Sequence, residues 1–481
     1  MYPNINYVAI LHLSHKGTRT AKNGYVYKPF TIYFNYIIEN TWVKIKLAKS
    51  LEKTDEYIVV KKNNNEFTIV NYICKIDDIN ASNLLLNELT KCNWNKIKPI
   101  NITSRNDENR VNYIDSEIYT IDPQGCIDID DAMHINDNKI YIHIADVSDY
   151  IEEGTALDNE LKKRCESIYT SKISHMMTPE LVDHFTLREN QIKKAYTVVF
   201  TYDDINECII HVDFHKSLIK VKKNMSYEEA QAIIDCGLNN NLVKLYIIAN
   251  KLMFNEIYDT HKMVEVYMIL TNHYVAKQLC KMYDKCLLRR QNKLTLLEQL
   301  TNSEYSHAEY IYNNIDKDNT NHESLKLNCY THFTSPIRRY ADIITHRLLS
   351  GKECKIDDEL IARLNFYKQH NKNCVLLEKL DNIYIDNNYI DVEGTVIKIK
   401  GTKCKVSIND TVIKVNIINK KMLEIITNNI ESIDLISNDN EFRLVYDNKE
   451  YMIKLHQVIK IRMCKILNSM FRIDSYILFD D

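Results

Sequence analysis

The sequence predicts an α+β chain of several units, a mixed α/β centre flanked on both sides by a small β unit. Three observations carry this. Both ends of the chain read as short runs of alternating apolar and polar residues, whereas residues 141–349 interleave such runs with stretches of helical periodicity. At 481 residues the chain exceeds what one compact core accommodates, which suggests about three units, placed at 1–100, 101–384 and 385–481. The charge is also unevenly divided. Residues 1–100 hold 14 Lys and Arg against 8 Asp and Glu, 385–481 hold 14 against 14, and the middle holds 34 against 43, although the whole chain carries only −3.

Composition narrows the class further. With 45% hydrophobic and 26% charged residues, and no apolar run near the ~20 residues of a membrane span, the chain reads as an ordinary globular protein with no membrane partner. The opening MYPNINYVAI lacks a secretory signal pattern. Thirteen cysteines include no CxxC pair, the closest two being Cys280 and Cys286, so neither a zinc site nor a disulfide framework is expected and a reducing cytoplasm fits best.

Residues 1–100 contain YVAILHL, PFTIYF, TWVKIKL, EYIVVKK and FTIVNYI, broken by Gly17, Gly24 and the Asn63–Asn65 tract. Five strands of that length suit a small OB-like barrel, and an excess of +6 suits one that touches RNA. Residues 101–117 are polar and read as a linker.

Next comes TIDPQGCIDIDDAM, Thr120 to Met133, with Asp122, Asp128, Asp130 and Asp131 inside ten residues. Carboxylates that close repel one another unless a cation neutralises them, so the run suggests a divalent metal held by hard oxygen ligands, magnesium with substrate phosphate or else calcium. The spacing does not match an EF-hand. Gly125 lets the loop turn back and bring Asp122 beside the later three. A solvated acidic loop is the simpler alternative, but Ile127, Ile129, Ala132 and Met133 alternate with the acids and argue for partial burial.

YIHIADVSDYI, 141–151, is expected to return as a strand beside this cluster, with His143 a hydrogen-bonded core residue and Asp146 able to support the metal shell. Helices are expected over 156–166, from Pro179, after Ser226 with a capping box to Glu229, and over 241–260 and 262–283. Strands are expected at 196–202 and 208–221. In HFTSPIRRYADIITHRLL, 332–349, Ser335 reads as an N-cap and Pro336 as the first helical residue, with Ile337, Ala341, Ile344 and Leu348 as the apolar stripe. That frame puts Arg338 in a first turn suited to phosphate and rotates Arg339 away. From residue 385 the alternation returns as a second five-strand OB-like module, with Gly394 and Gly401 placed for a bent first strand.

Taken together, TIDPQGCIDIDDAM, HIADVSDYI and HFTSPIRRYADIITHRLL resemble the ribonuclease II (RNB) family, which includes bacterial ribonucleases and the catalytic exoribonuclease of the exosome. The resemblance spans about 101–384, and less sharply the flanking modules. It implies an RNB-type catalytic domain that hydrolyses single-stranded RNA processively from the 3′ end to nucleoside 5′-monophosphates by a two-metal mechanism, with Mg2+ as cofactor and Mn2+ able to substitute. It further implies that Asp122, Asp128, Asp130 and Asp131 are metal ligands, that Asp130 and Arg338 are catalytic, and that Tyr169, Tyr227 and Arg338 bind RNA. Protein partners in an RNA-decay complex, or else a monomer, also follow from it. A catalytically silent RNA-binding or scaffold protein of the same fold is the alternative. The chain departs from the pattern in having room for one N-terminal barrel rather than two, in Lys193 and Lys194 where an arginine is expected, and in lacking a placeable later glutamate between Cys374 and Asp381.

Overall fold

The computed structural model describes residues 109–170, 173–252, 259–292, 308–312, 320–352, 354–368 and 371 in the centre of the chain. In the flanks it describes 6–11, 30–33, 42–45, 56–63, 66–75, 84, 88, 389–400, 403–408, 411–417, 434–437, 440–446, 449–465 and 473–478.

The N-terminal alternation gives the five antiparallel strands expected, β1 (Asn6–Leu11), β2 (Phe30–Tyr33), β3 (Trp42–Ile45), β4 (Glu56–Asn63) and β5 (Glu66–Lys75), but among the described residues they form an open sheet of order β3-β2-β1-β4-β5 rather than the closed OB-like barrel expected. Ile58, Val59 and Val60 of β4 are buried in succession, as a strand at the heart of a small sheet requires.

The centre is built on a closed barrel of order β10-β6-β7-β8-β9. Its strands are β6 (Val111–Asp122), β7 (Asp131–Asn136), β8 (Lys139–Ala145), β9 (Ile192–Asp203) and β10 (Cys208–Ser226). The expected linker over 101–117 is therefore corrected at 111–117, which is the first half of β6. Its polarity has a physical cause, because Val111, Asn112, Asp115 and Glu117 lie on the exposed positions of a strand whose apolar burial begins at Ile118. β10 runs five residues past its expected end because it pairs in parallel with β6 through Ser226↔Asp122. That register sets the start of the next helix beside the acids.

Helices cover the barrel: α1 (Ala156–Arg164), α2 (Pro179–Phe185), α3 (Tyr227–Asp235), α4 (Asn240–Leu252), α5 (Thr260–Met282) and α6 (Tyr340–Leu349). Their caps follow the sequence signals. Thr155, Thr178, Ser226 and Asp259 accept side-chain bonds from Asp158, Leu181, Glu229 and Lys262 N–H groups. α6 is buried along its whole length, and a buried pair, Arg347 Nη2 to Asp158 Oδ1 at 2.6 Å, with Tyr340 Oη on the same oxygen at 2.9 Å, ties it to α1. Between these helices lie the short strands β11 (Leu287–Arg290) and β12 (Glu309–Tyr312), paired antiparallel.

Beyond residue 388, β13 (Tyr389–Lys400), β14 (Lys403–Ile408), β15 (Thr411–Asn416), β19 (Val458–Lys465) and β20 (Ile473–Leu478) close a five-strand barrel. β16 (Asp434–Ser437), β17 (Glu441–Tyr446) and β18 (Lys449–Lys454) form a separate three-stranded sheet, so the C-terminal unit is the expected barrel with a meander inserted. Gly394 is required in β13, since a Cβ there would lie 2.5 Å from Val406 Cγ1. Gly401 lies outside the described residues.

Candidate active site

The four aspartates gather at one end of the central barrel, where β6 ends on Asp122 and β7 begins on Asp131. The loop between them turns at Gly125, whose φ of +79° is left-handed, with Cys126 N–H donating to Pro123 O at 3.0 Å. Two further bonds pin the loop: Thr186 Oγ1 donates to Ile127 O at 2.6 Å and Leu187 N–H to Ile129 O at 3.1 Å. The alternating apolar residues do what burial demands, since Ile129, Ala132 and Met133 are buried while Ile127 stays exposed.

Each acid is held differently. Asp128 accepts a short hydrogen bond from Tyr169 Oη. Asp130, 3% exposed, accepts the Ile337 N–H at 2.8 Å through Oδ1, and its Oδ2 lies 3.6 Å from Arg338 Nε. Burial raises all of Asp122, Asp130 and Asp131. For Asp122 the neighbouring Asp131 charge adds to burial and carries it to about 8, against the Thr120 hydroxyl; Asp131 reaches about 6, with Arg338 and Arg339 pulling it back. Asp130 stands well above its ordinary value despite Arg338 and the Ile337 N–H. Burial together with the Asp122 and Asp128 charges pushes the Cys126 thiol to about 12.

Burial thus works against the charged forms of Asp122, Asp130 and Asp131, which added positive charge would favour. Asp122 Oδ2 and Asp130 Oδ2 are buried and find no hydrogen-bond partner among the described residues. Orphaned carboxylate oxygens in a donor set made only of aspartates are the chemistry of a hard divalent cation. Among the described residues no three such side chains converge as a ready-made cage, and Asp128 and Asp130 are engaged by the Tyr169 hydroxyl and the Ile337 N–H. The residues thus fit a metal that assembles its own ligand shell on arrival.

Both expected aromatics reach this place. Tyr169 touches Asp128, and Tyr227, the first residue of α3, has its hydroxyl pushed up by burial and by the Asp131 and Asp122 charges while its ring stacks on His261 at 3.6 Å. Arg338 is present too, but its expected setting is wrong. α6 starts at Tyr340, not Pro336, and its N-cap position is Arg339 in extended geometry. Asp342 Oδ1 takes Ser335 N–H at 2.7 Å and Asp130 takes Ile337 N–H, donors that a helix opening at Ser335 leaves free, but Cys165 O takes at 2.7 Å the Tyr340 N–H that the next turn of such a helix would need. Arg338 therefore acts from a turn, with Nη2 on Ser335 Oγ at 2.9 Å and its side chain 41% exposed.

Other expectations need correction. Arg339 does not face away; its side chain is only 12% exposed and is paired with Asp342 at 2.8 Å. Asp146 does not support the acidic cluster. It pairs with Arg110 at 2.7 Å and Lys216 at 3.2 Å, in a network where Lys194 and Lys216 also hold Asp149. Lys194 is thereby structural, and Lys193 donates to His184 O at 2.7 Å. His143 is the hydrogen-bonded core residue expected, between His134 Nδ1 and Thr197 Oγ1 at 2.8 Å each. The stretch 374–381, searched for a glutamate, lies outside the described residues. Sequence reasoning missed Asp342, whose partners depend on tertiary contacts, and the Ile337 N–H, which leaves no trace in residue type.

Comparison with known proteins agrees with the site. The family model described as RNB domain matches residues 110–255 and 293–351. The exosome complex exonuclease RRP44 of Mus musculus is 30% identical over 346 residues, covering 53% of this chain and 36% of that protein. Ribonuclease R of Aquifex aeolicus is 30% identical over 315 residues, covering 48% and 44%. The chain thus spans about a third to under half the length of these relatives. In fold it is similar to the apo form of RNase R from Mycoplasma genitalium, with a TM-score of 0.64 at 14% identity over 98% of this chain and 100% of that one. It is also similar to yeast Ssd1, described as a pseudonuclease, with a TM-score of 0.71 at 14% identity over 100% and 83%. Among the described residues no helix is long and apolar enough to cross a membrane.

Proposed function

Because the chain belongs to the RNB family, we propose that it is a cytoplasmic 3′-to-5′ exoribonuclease that degrades single-stranded RNA processively to nucleoside 5′-monophosphates. The observation that supports this most is the meeting of four carboxylates, two with orphaned oxygens, and an exposed arginine at one end of the barrel. Asp122, Asp128, Asp130 and Asp131 would hold divalent metal, Mg2+ with Mn2+ able to substitute. Two such ions would supply activation of the attacking water and neutralisation of the leaving oxygen.

The chain's own residues do the rest. In each cycle water adds to the terminal phosphorus, the bond to the 3′ oxygen of the preceding nucleotide breaks, and that oxygen leaves with a proton. Arg338 stabilises the charge that builds on the phosphoryl oxygens, and Ser335 Oγ, bonded to its Nη2, fixes its direction. The Ile337 N–H orients Asp130. Tyr169 and Tyr227 offer ring faces to the terminal bases, which accept any base because every base has a π-face. Assembly into an RNA-decay complex is proposed from the exosome name of the mouse relative.

A second reading, an RNA-binding protein without catalysis, draws support from the fold shared with Ssd1. Retention of all four acids and Arg338 weighs against it. End-labelled single-stranded RNA with Mg2+ separates the readings. Shortening from the 3′ end with release of mononucleotides supports the exonuclease, intact RNA that is nevertheless bound supports the silent protein, and internal cuts overturn both.

A further inference from the structure

Three thiols that play no part in the site above meet on the far end of α5. Cys280 sits in its last turn, Cys286 immediately precedes β11, and Cys329 leads into the 330–339 segment. Cys280 Sγ lies 3.8 Å from Cys286 Sγ, and the Cys329 thiol is close enough to act on that of Cys280. Cys286 and Cys329 are buried, whereas Cys280 is half-buried.

The surroundings hold these sulfurs at contact. Tyr283 N–H closes α5 on Leu279 O at 2.9 Å, Arg289 N–H donates to Tyr330 O at 2.8 Å, and Thr331 Oγ1 donates to Leu287 O at 2.8 Å. From α5, Asn272 donates to Tyr330 Oη at 3.0 Å and accepts Phe333 N–H at 2.8 Å. Helix, strand and segment are thereby pinned around the thiols. A disulfide needs its sulfurs about 2 Å apart, so bonding requires a further approach of roughly 2 Å, within reach of side-chain rotation at a helix end.

We propose that Cys280 is a site of reversible oxidation by hydroperoxides, with Cys286 as the thiol that resolves it to a disulfide. The Cys280 thiolate attacks one peroxide oxygen, the O–O bond breaks, and the other oxygen leaves with its electron pair and a proton as water or alcohol, giving the sulfenic acid. Cys286 sulfur then attacks Cys280 sulfur, and the hydroxyl leaves as water with the Cys286 proton. Two thiols thus lose two electrons to one peroxide. Cys280 is the half-buried member of the group while Cys286 and Cys329 are buried, which makes Cys280 the thiol that a peroxide meets first. In a reducing compartment the pair rests as thiols and the disulfide is transient.

The test uses the full chain with stoichiometric hydrogen peroxide, N-ethylmaleimide to block remaining thiols, digestion and mass mapping. The Cys280–Cys286 disulfide should form roughly tenfold faster than oxidised products of the exposed Cys208 and Cys236, and dithiothreitol should reverse it. In Cys286→Ser, dimedone should trap a sulfenic acid at Cys280. The proposal is overturned if Cys280 and Cys286 both emerge alkylated from wild type, if Cys280 joins another cysteine instead, or if Cys208 and Cys236 react as fast. Peptide masses report this independently of any RNA cleavage.

Discussion

Removing the Asp342 carboxylate is expected to loosen the segment that carries Arg338. Asp342 is fully buried, and its Oδ1 accepts both Ser335 N–H at 2.7 Å and Arg339 Nη2 at 2.8 Å. Asp342→Ala strands a buried guanidinium, which costs about 3–5 kcal/mol, and leaves a buried N–H without its acceptor, which costs about 1–3 kcal/mol. Both bonds share one oxygen, so the two costs overlap and about 4–6 kcal/mol is expected in total. Asp342→Asn keeps an acceptor for Ser335 and should lose mainly the first contribution. Combining Asp342→Asn with Arg339→Gln removes the stranded charge, so it should be more stable than Asp342→Asn alone by about 1–3 kcal/mol. Hydrogen–deuterium exchange of the 340–349 amides measures this within the central unit, where global denaturation of several units would blur it. Protection in Asp342→Ala within about 1 kcal/mol of wild type, or a double variant no better than the single, would refute the reasoning.

Three further outcomes follow from the same geometry. Asp130→Asn should abolish cleavage while leaving RNA affinity nearly unchanged, because one metal-ligand charge acts at the transition state and binding is spread over many contacts; cleavage persisting in excess chelator would contradict this. Arg338→Lys keeps the charge and loses the fork, so single-turnover rates should fall by about 2–4 kcal/mol with little change in Kd, and a defect confined to Kd would remove the catalytic role. The third concerns pH. Burial holds His134 neutral, down to about 4, and His143 well below its ordinary 6.5. The unfolded chain protonates both near pH 6.5, so their contribution is complete above that pH and is lost as pH falls towards 4; for His134 the loss is about 2–3 kcal/mol by pH 4.5. Urea midpoints of wild type and His134→Gln measured side by side cancel the opposite drift of the raised Asp122 and Asp131, and wild type should lose ground as pH falls. A constant gap between the two proteins would contradict it.

What was legible in the sequence was what local pattern decides. Alternation located strands in both flanks and in the barrel, Ser226 announced α3, and the density of aspartates announced the site. The rest depended on partners far along the chain. Residues 111–117 looked like a linker because polarity on the outer face of a strand is indistinguishable from a loop until the pairing strand β10 is known. Ser335 and Pro336 carry sound helix-start chemistry, and Arg339 N–H does close a turn on Ser335 O at 3.0 Å, yet Cys165 O and Ser167 N–H, far back in the chain, take the Tyr340 N–H and the Arg338 carbonyl that continuing the helix would need. Once the helix starts later, the wheel that turned Arg339 outward no longer applies.

That late start has a functional meaning. With Arg339 extended, residues 338–340 pair with 165–167: Ser167 N–H donates to Arg338 O at 2.9 Å, Tyr340 N–H to Cys165 O at 2.7 Å, and Glu166 faces Arg339 across an antiparallel bridge. Two residues beyond Ser167 stands Tyr169, which holds Asp128, while Ile337 on the other side of the bridge holds Asp130. A helix through Pro336 would have spent these backbone groups internally and severed the connection. The arginine, the aromatic and two of the acids are thus linked through a few backbone hydrogen bonds, so a displacement of the 335–340 turn moves Arg338 and the carboxylate frame together.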